Sequence, residues 1–307
     1  MTWTTEQIGD LGGSTAVVTG PSVGGIGYDT ALELARHGAR VVLAGRSRAK
    51  LADAEAAIRR EVPRAELVPV LLDLGDLSAV RRAGAEIAAL GPLHLLVNNA
   101  GIMATSYGRT VDGLEQQLAT NHFGPFLLTG LLLPSLMAAG ESAAGARVVT
   151  VSSIGHKLAP RAPLGDPLAT GRYLRWPTYF QSKLANLLFT YELDRRLRDA
   201  ALPVRALAAH PGLVSSRLIS NGGSFGPLSR IADAAYPVIS QRPTQGAWPS
   251  LMAATADLAG GTYVGPSGVG ETQGAPHVVR SSRLSHDRIA QRRLWEISEQ
   301  TTQIAYP

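Results

Sequence analysis

The chain has no cysteine in its 307 residues. Disulfides, thiolate metal sites and cysteine nucleophiles are therefore excluded, no metal site is expected, and a reducing compartment is compatible. Lysine is nearly as scarce. Of 29 basic residues only Lys50, Lys157 and Lys183 are lysines. An arginine bias alongside abundant Ala and Gly matches a GC-rich coding background, which weakens the net charge of +5 as a nucleic-acid signal. The arginines are scattered rather than clustered with aromatics as a binding groove requires, so no nucleic-acid partner is expected. Met1 to Gly13 has no apolar core and is not a signal peptide. Long apolar runs are also few. The longest uncharged stretch, Phe123 to Gly140, is interrupted by Gly124, Pro125, Gly130 and Pro134. At about 18 residues it barely reaches bilayer-spanning length and reads better as a buried helix. With 45% hydrophobic and 17% charged residues the chain is globular, and a soluble, cytoplasmic protein is expected.

What is present alternates. Ser14 to Gly20 reads as a short buried strand entering a glycine-rich turn, and Tyr28 to His37 as a helix stopped by Gly38. Arg40–Ala44, Glu66–Leu72, Leu93–Val97, Ala146–Ser152 and Val204–Ala208 read as further strands. Helices are expected from Ser47 to before Pro63, over Asp76–Leu90, Asn121–Ala139 and Tyr179–Arg198, near Gln245–Ala254 and near Ser285–Gln300, with a strand at Gly261–Gly265. Nearly continuous apolar strands between amphipathic helices indicate an α/β protein: a three-layer Rossmann fold with a doubly wound, mostly parallel sheet. One domain is expected over 1–307. Its cofactor half spans about 14–110, and the catalytic and substrate part about 111–307, with a variable substrate loop at about 217–245. Such sheets bind ligands at the carboxyl ends of their strands.

The motifs fall at those ends. Thr19-Gly20-Pro21-Ser22-Val23-Gly24-Gly25-Ile26-Gly27 joins the first strand to the first helix. Glycines there let the backbone approach a pyrophosphate, whose charge the helix N-terminus meets. The second strand ends Ala44-Gly45-Arg46-Ser47. NAD-preferring folds place an acid here for the ribose 2′-hydroxyl, whereas Arg46 suits a 2′-phosphate, so NADP is expected over NAD. Asp73, followed by Leu74, could accept from the adenine amine or cap its own turn. Tyr179 and Lys183 are four residues apart and share a helix face. A neighbouring ammonium favours the phenolate, which makes the phenol a usable proton donor and acceptor.

Asn98-Asn99-Ala100-Gly101, Ser152-Ser153, Tyr179-x-x-x-Lys183 and Pro211-Gly212, taken in order, resemble the short-chain dehydrogenase/reductase superfamily from about Ser14 to Ser216. The long Ser153-to-Tyr179 separation, the continuation Ser182-Lys183-Leu184-Ala185-Asn186 and the run Ala119 to Gly124 are most similar to its retinol-dehydrogenase-like subgroup. The resemblance implies Tyr179 as general acid or base, Lys183 holding the nicotinamide ribose, Ser153 donating to the substrate oxygen, and Asn121 fixing a relay water to Lys183. It implies cofactor contacts from Gly20, Ser22, Gly25, Ile26, Gly27, Arg46, Ser47, Asp73, Leu74, Asn99, Ala100 and Gly101. Pro211, Gly212, Val214 and Ser216 would frame the nicotinamide. Asn98 reads as a structural tie between adjacent strands, and Ser152 as facing away from the site. The glycine loop carries one residue more than the family pattern, so either Gly24 or Gly25 fills its middle position.

The expected activity is NADP-dependent interconversion of a carbonyl and an alcohol on an apolar small-molecule substrate, lipophilic or polycyclic. A catalytically silent NADP sensor is one rival, and a nucleotide-sugar epimerase or dehydratase another. The membrane-bound retinol enzymes carry an N-terminal anchor, and the expectation here is none. His122, His156 and His210 sit beside motifs without an implied role, and His156 could line the substrate mouth. Trp176 and Phe180 suit the pocket wall or the core. A homodimer or homotetramer is compatible with Leu127, Leu128, Leu131 and Leu132, which would equally suit the core.

Overall fold

The computed structural model describes residues 2–140, 145–163, 166–214 and 241–307. Ser216 and most of the expected substrate loop lie outside the described residues. Eight strands form one sheet: β1 (Thr15–Thr19), β2 (Arg40–Gly45), β3 (Leu67–Leu71), β4 (Leu95–Asn98), β5 (Ala146–Val151), β6 (Val204–Ala209), β7 (Tyr263–Pro266) and β8 (Pro276–Val278). Their order is β3-β2-β1-β4-β5-β6-β7-β8. All neighbours pair in parallel except β7 with β8. The chain therefore winds outward one way from β1 and the other way from β4, which opens a crevice at their carboxyl ends. Strand β8 has no counterpart in the sequence reading. Three residues led by a proline carry too short a pattern to read.

The helices are α1 (Ile26–Arg36), α2 (Arg48–Glu61), α3 (Leu77–Ala88), α4 (Gln116–Gly140), α5 (Arg175–Asp199), α6 (Pro243–Thr255) and α7 (Arg288–Thr302). Alternation along each strand divides them between two faces. Ala16 and Val18 of β1 pack with α1, α2 and α6, whereas Val17 packs with α3, α4 and α5. Helix α7 covers the outside of α5 through Ala290 and Leu294. This is the three-layer Rossmann architecture, in a single domain.

Helix α4 is long and apolar enough to cross a bilayer. Its Phe126, Leu127, Leu128, Leu132 and Leu136 are nevertheless completely buried inside the fold, so it is a core helix. Leu127, Leu128 and Leu132 are thus spent on the core and offer nothing to a second subunit. Leu131 packs over Gly84 of α3, where a Cβ would lie 2.8 Å from its Cδ1.

Local signals set the helix starts. Ser47 Oγ accepts from Lys50 N, Asp76 Oδ1 from Ala79 N, and Asp287 Oδ1 from Ala290 N. The terminal helix therefore begins after Asp287, and the residues expected to open it form a separate short turn, Arg283–His286.

Candidate active site

The turn after β1 is held from the side by β4. Thr19 Oγ1 accepts from the backbone N–H of Asn99 (3.0 Å) and of Ala100 (2.9 Å), and Asn99 Nδ2 donates to Thr19 O at 2.7 Å. Asn99 therefore ties the adjacent strand ends. The sequence reading gave that task to Asn98, and the structure corrects it: Asn98 Nδ2 reaches Thr129 Oγ1 of α4 at 3.0 Å. Neighbouring residues at a strand end face opposite layers, so two consecutive asparagines cannot be told apart by type. Thr19 was missed as a site organiser because it looks like any β-branched strand residue.

Gly20 has φ +71, and a Cβ there would meet Ala100 at 3.0 Å. At Gly27 a Cβ would lie 2.3 Å from Asn99 Nδ2 and 2.5 Å from Gly20 O. These two glycines are the price of folding the loop against β4. The additional loop residue is taken up outside that contact. Gly24, with φ +78, is exposed with open space around it, while Gly25 closes a turn onto Ser22 O and stands as N-cap of α1. Helix α1 has no side-chain cap, so its first-turn amides face the crevice beside Ser22, Ile26 and Gly27.

Along the rest of the crevice, Arg46 follows β2 exposed, with no hydrogen bond or ion pair among the described residues and no acid next to it in the chain. Asp73 is exposed after β3, and one of its oxygens accepts from Gly75 N at 2.9 Å, so the turn-capping reading holds for that oxygen. Leu74 is buried beneath it. Past β6, Gly212 has φ +69, and Leu213 N donates to Thr272 O at 2.7 Å. Pro211 O accepts from Gln241 at 2.6 Å, and Val214 bridges to Gln241.

Tyr179 and Lys183 lie on one face of α5, both nearly buried (6% and 5% exposed). Lys183 Nζ sits 5.9 Å from the Tyr179 ring centroid and donates to Val151 O, the last carbonyl of β5, at 3.0 Å. Burial pulls the ammonium down to about 8. A Cβ at Gly101 would stand 3.3 Å from Nζ and 3.1 Å from Asn121 Oδ1, so only glycine leaves this floor open. Ser153 begins a short 3-10 turn, Ile154–Leu158, and its Oγ accepts from Gly155 N at 3.1 Å. Gly155 lets Phe180, the residue after Tyr179, pack against that turn. Trp176 meets the Tyr179 ring edge-on at 6.2 Å. Ser152 faces away as expected and donates to Lys183 O at 2.8 Å.

Asn121 lies in a π-helical turn, Ala119–Phe123, within α4. Its side chain accepts from Ile102 N (2.8 Å) and donates to Ile102 O and Ser182 Oγ (2.9 Å each). The amide is fully occupied. Pro125 has no N–H for the carbonyl four residues before it, so the regular helix ladder loses a donor within this turn.

His122 and His156 are packed into the fold. His122 is buried among Phe123, Phe126 and Phe189 and bonded to Ser298, and burial takes it down to about 3. His156 does not line the substrate mouth. It is completely buried, bonded to Ser153 O at 2.7 Å and accepting from Ser282 N at 3.0 Å, and burial takes it down to about 4.

A parallel sheet with a glycine-rich turn, a buried Tyr–Lys pair and a serine turn at its carboxyl edge is the framework of a dinucleotide-dependent oxidoreductase. The chain belongs to the short-chain dehydrogenase family, whose model matches residues 14–223, and within it is retinol-dehydrogenase-like. It is 38% identical to mouse (Mus musculus) polyprenol dehydrogenase over 92% of this chain and 82% of that one. It is 40% identical to human (Homo sapiens) retinol dehydrogenase 12 over 80% and 75%. The crystal structure of an uncharacterized protein from Mycobacterium paratuberculosis is 39% identical, covers 100% of both chains and superposes with a TM-score of 0.78. A Pseudomonas aeruginosa RhlG/NADP active-site complex is 26% identical, with a TM-score of 0.63 over 83% of this chain and 94% of that one. Members of this family bind a nicotinamide cofactor, and the residues fit one: the uncapped α1 N-terminus, the close Gly20–Ala100 approach and the open floor at Gly101 together leave a cradle that a side chain would fill.

Proposed function

We propose that the protein is an NADP-dependent reductase of ketones or aldehydes, or oxidant of the matching alcohols, acting on lipophilic substrates. The observation that carries it is the buried Lys183 ammonium beside the Tyr179 ring at the end of β5. A bound nicotinamide supplies or accepts the hydride. Tyr179 Oη gives its proton to the carbonyl oxygen in reduction and takes it back in oxidation. Lys183 lowers the cost of the phenolate by its charge and holds the ribose hydroxyls. Ser153 Oγ donates to the same substrate oxygen as charge grows on it. Asn121 holds the water that returns a proton toward Lys183.

Arg46 supports NADP over NAD, because an exposed fork of donors, without a partner among the described residues, stands where an acid would repel a 2′-phosphate. Ser22, Gly25, Ile26 and Gly27 take the pyrophosphate, Ser47 and Arg46 the 2′-phosphate, and Asp73 and Leu74 the adenine. Asn99, Ala100, Gly101, Pro211, Gly212 and Val214 enclose the nicotinamide half. Exposed Leu158 and Leu174, and Trp176 and Phe180 against the Tyr179 ring, support an apolar substrate. Initial rates with NADPH and NADH, for wild type and Arg46→Ala, test the cofactor assignment. Wild type should prefer NADPH, and the alanine variant should lose on the order of tenfold or more of that preference. An unchanged preference would remove Arg46 from this role.

A further inference from the structure

Two loops follow β5 and β6 at the carboxyl edge of the sheet, and one carboxylate joins them. Glu271 sits in the short turn Val269–Glu271 between β7 and β8. Its Oε2 accepts from His210 Nε2 at 3.1 Å, and its Oε1 from Lys157 Nζ at 2.7 Å. His210 directly precedes Pro211-Gly212, and Lys157 lies in the turn that Ser153 opens. Because His210 Nδ1 accepts the Gly212 N–H at 3.2 Å, the proton sits on Nε2 and is donated to Glu271. The imidazole is completely buried, and Gly265 makes room for it: a Cβ there would stand 2.1 Å from Nε2. The next residue adds a second hold. Thr272 O accepts from Leu213 N and passes so near Gly212 that a Cβ would lie 2.3 Å away.

The backbone of Glu271 points the same way. Its φ is +58, the left-handed region that favours glycine, and the residue before it is Gly270 at φ +63. A residue with a Cβ is strained in that conformation, so the turn holds Glu271 against its backbone preference. Hydrogen bonds from His210, then Lys157, bring its carboxyl down to about 2, so it is ionised at any working pH. The ion pair itself is partly solvated and electrostatically modest, so what it contributes is geometry.

We propose that Glu271 is a positioning residue that fixes the Pro211–Gly212 loop to the Ser153 turn, holding one spacing across the nicotinamide and substrate oxygen positions. The effect on turnover rests on the carbonyl–alcohol reading above; the effect on cofactor binding does not.

The test compares Glu271→Ala, Glu271→Gln and Glu271→Gly for thermal midpoint, affinity for NADPH, affinity for 2′,5′-ADP and kcat. The ADP fragment occupies the far end of the crevice, so Glu271→Ala should bind it within about twofold of wild type. It should lose on the order of tenfold in NADPH affinity and at least that in kcat, because a displaced reacting centre is costly. Glutamine keeps an acceptor for His210 and should restore most of both. Glycine relaxes the backbone and should melt no lower than alanine while sharing its functional loss. Equal loss for NADPH and 2′,5′-ADP, or a melting loss with unchanged NADPH affinity, would make Glu271 a merely structural hairpin residue and overturn the proposal. If wild type binds NADPH yet reduces no carbonyl, the proposed function fails, while the ratio of the two affinities still decides the role of Glu271.

Discussion

Lys183 is charged at neutral pH only because its burial stops short of neutralising it. Its ordinary value of 10.5 falls to about 8. Catalysis that needs the ammonium should therefore decline as pH rises through about 8, by ~10-fold per unit at the steep limit. A kcat/KM profile of the wild type checks this, and a flat profile to pH 10 would count against it. Stability should move the opposite way. Between about 8 and 10.5 the unfolded lysine keeps a proton that the folded one has lost, so this group's penalty is present below 8 and fades as pH rises. Lys183→Met should melt at or above the wild-type midpoint at neutral pH, because Val151 O keeps its bond from Asn186, while turnover drops by ~100-fold or more. A large melting loss would show that the lysine is there for the fold. At this scale the sequence points to residues that chemistry marks, namely Tyr179, Lys183, Ser153 and Arg46. It did not expose Thr19 or the division of labour between Asn98 and Asn99, because those depend on which way a strand-end side chain faces. Nor did it place His156, whose neighbours in space are Ser282 and Tyr263, far along the chain.

Elements carry the site by close backbone approach. The β1–α1 turn fits only because Gly27 lets Asn99 and Gly20 O sit where a Cβ would be. Asn99 cannot swing aside without giving up its bonds to Thr19. Gly27→Ala should therefore destabilise by ~1–3 kcal/mol and weaken NADPH binding together. Gly24→Ala is a contrast, since only its left-handed φ resists and the space around it is open, so the cost should be ~1 kcal/mol. Denaturant melts of the two variants check the order, and equal losses would contradict the packing argument. The glycine-rich turn was legible as a tight strand-to-helix connection. Which glycine packs and which merely turns was not, because that depends on β4, some 70 residues away. The π-helical turn at Asn121 was also hidden, although Pro125 signals that the ladder there must lose a donor.

For the whole molecule, alternating apolar strands and helices revealed the layers and the parallel sheet, since burial on both faces leaves continuous apolar runs. The strand order turns every motif to one edge, and the split between β1 and β4 places the phosphate turn beside Gly101 and Lys183. What pattern could not supply was the closing edge. The short β8 and the Val269–Glu271 turn have little periodicity, yet they brace the loop after β6. The measurement that bears most directly on the account is NADPH consumption over a panel of apolar ketones and aldehydes by wild type and Tyr179→Phe, with NADPH affinity measured in parallel. The account predicts turnover by wild type, a loss of ~10³-fold in kcat in the phenylalanine variant, and NADPH affinity within about twofold. Wild-type protein that binds NADPH and consumes none of it across the panel, or a phenylalanine variant that turns over as wild type does, would contradict it.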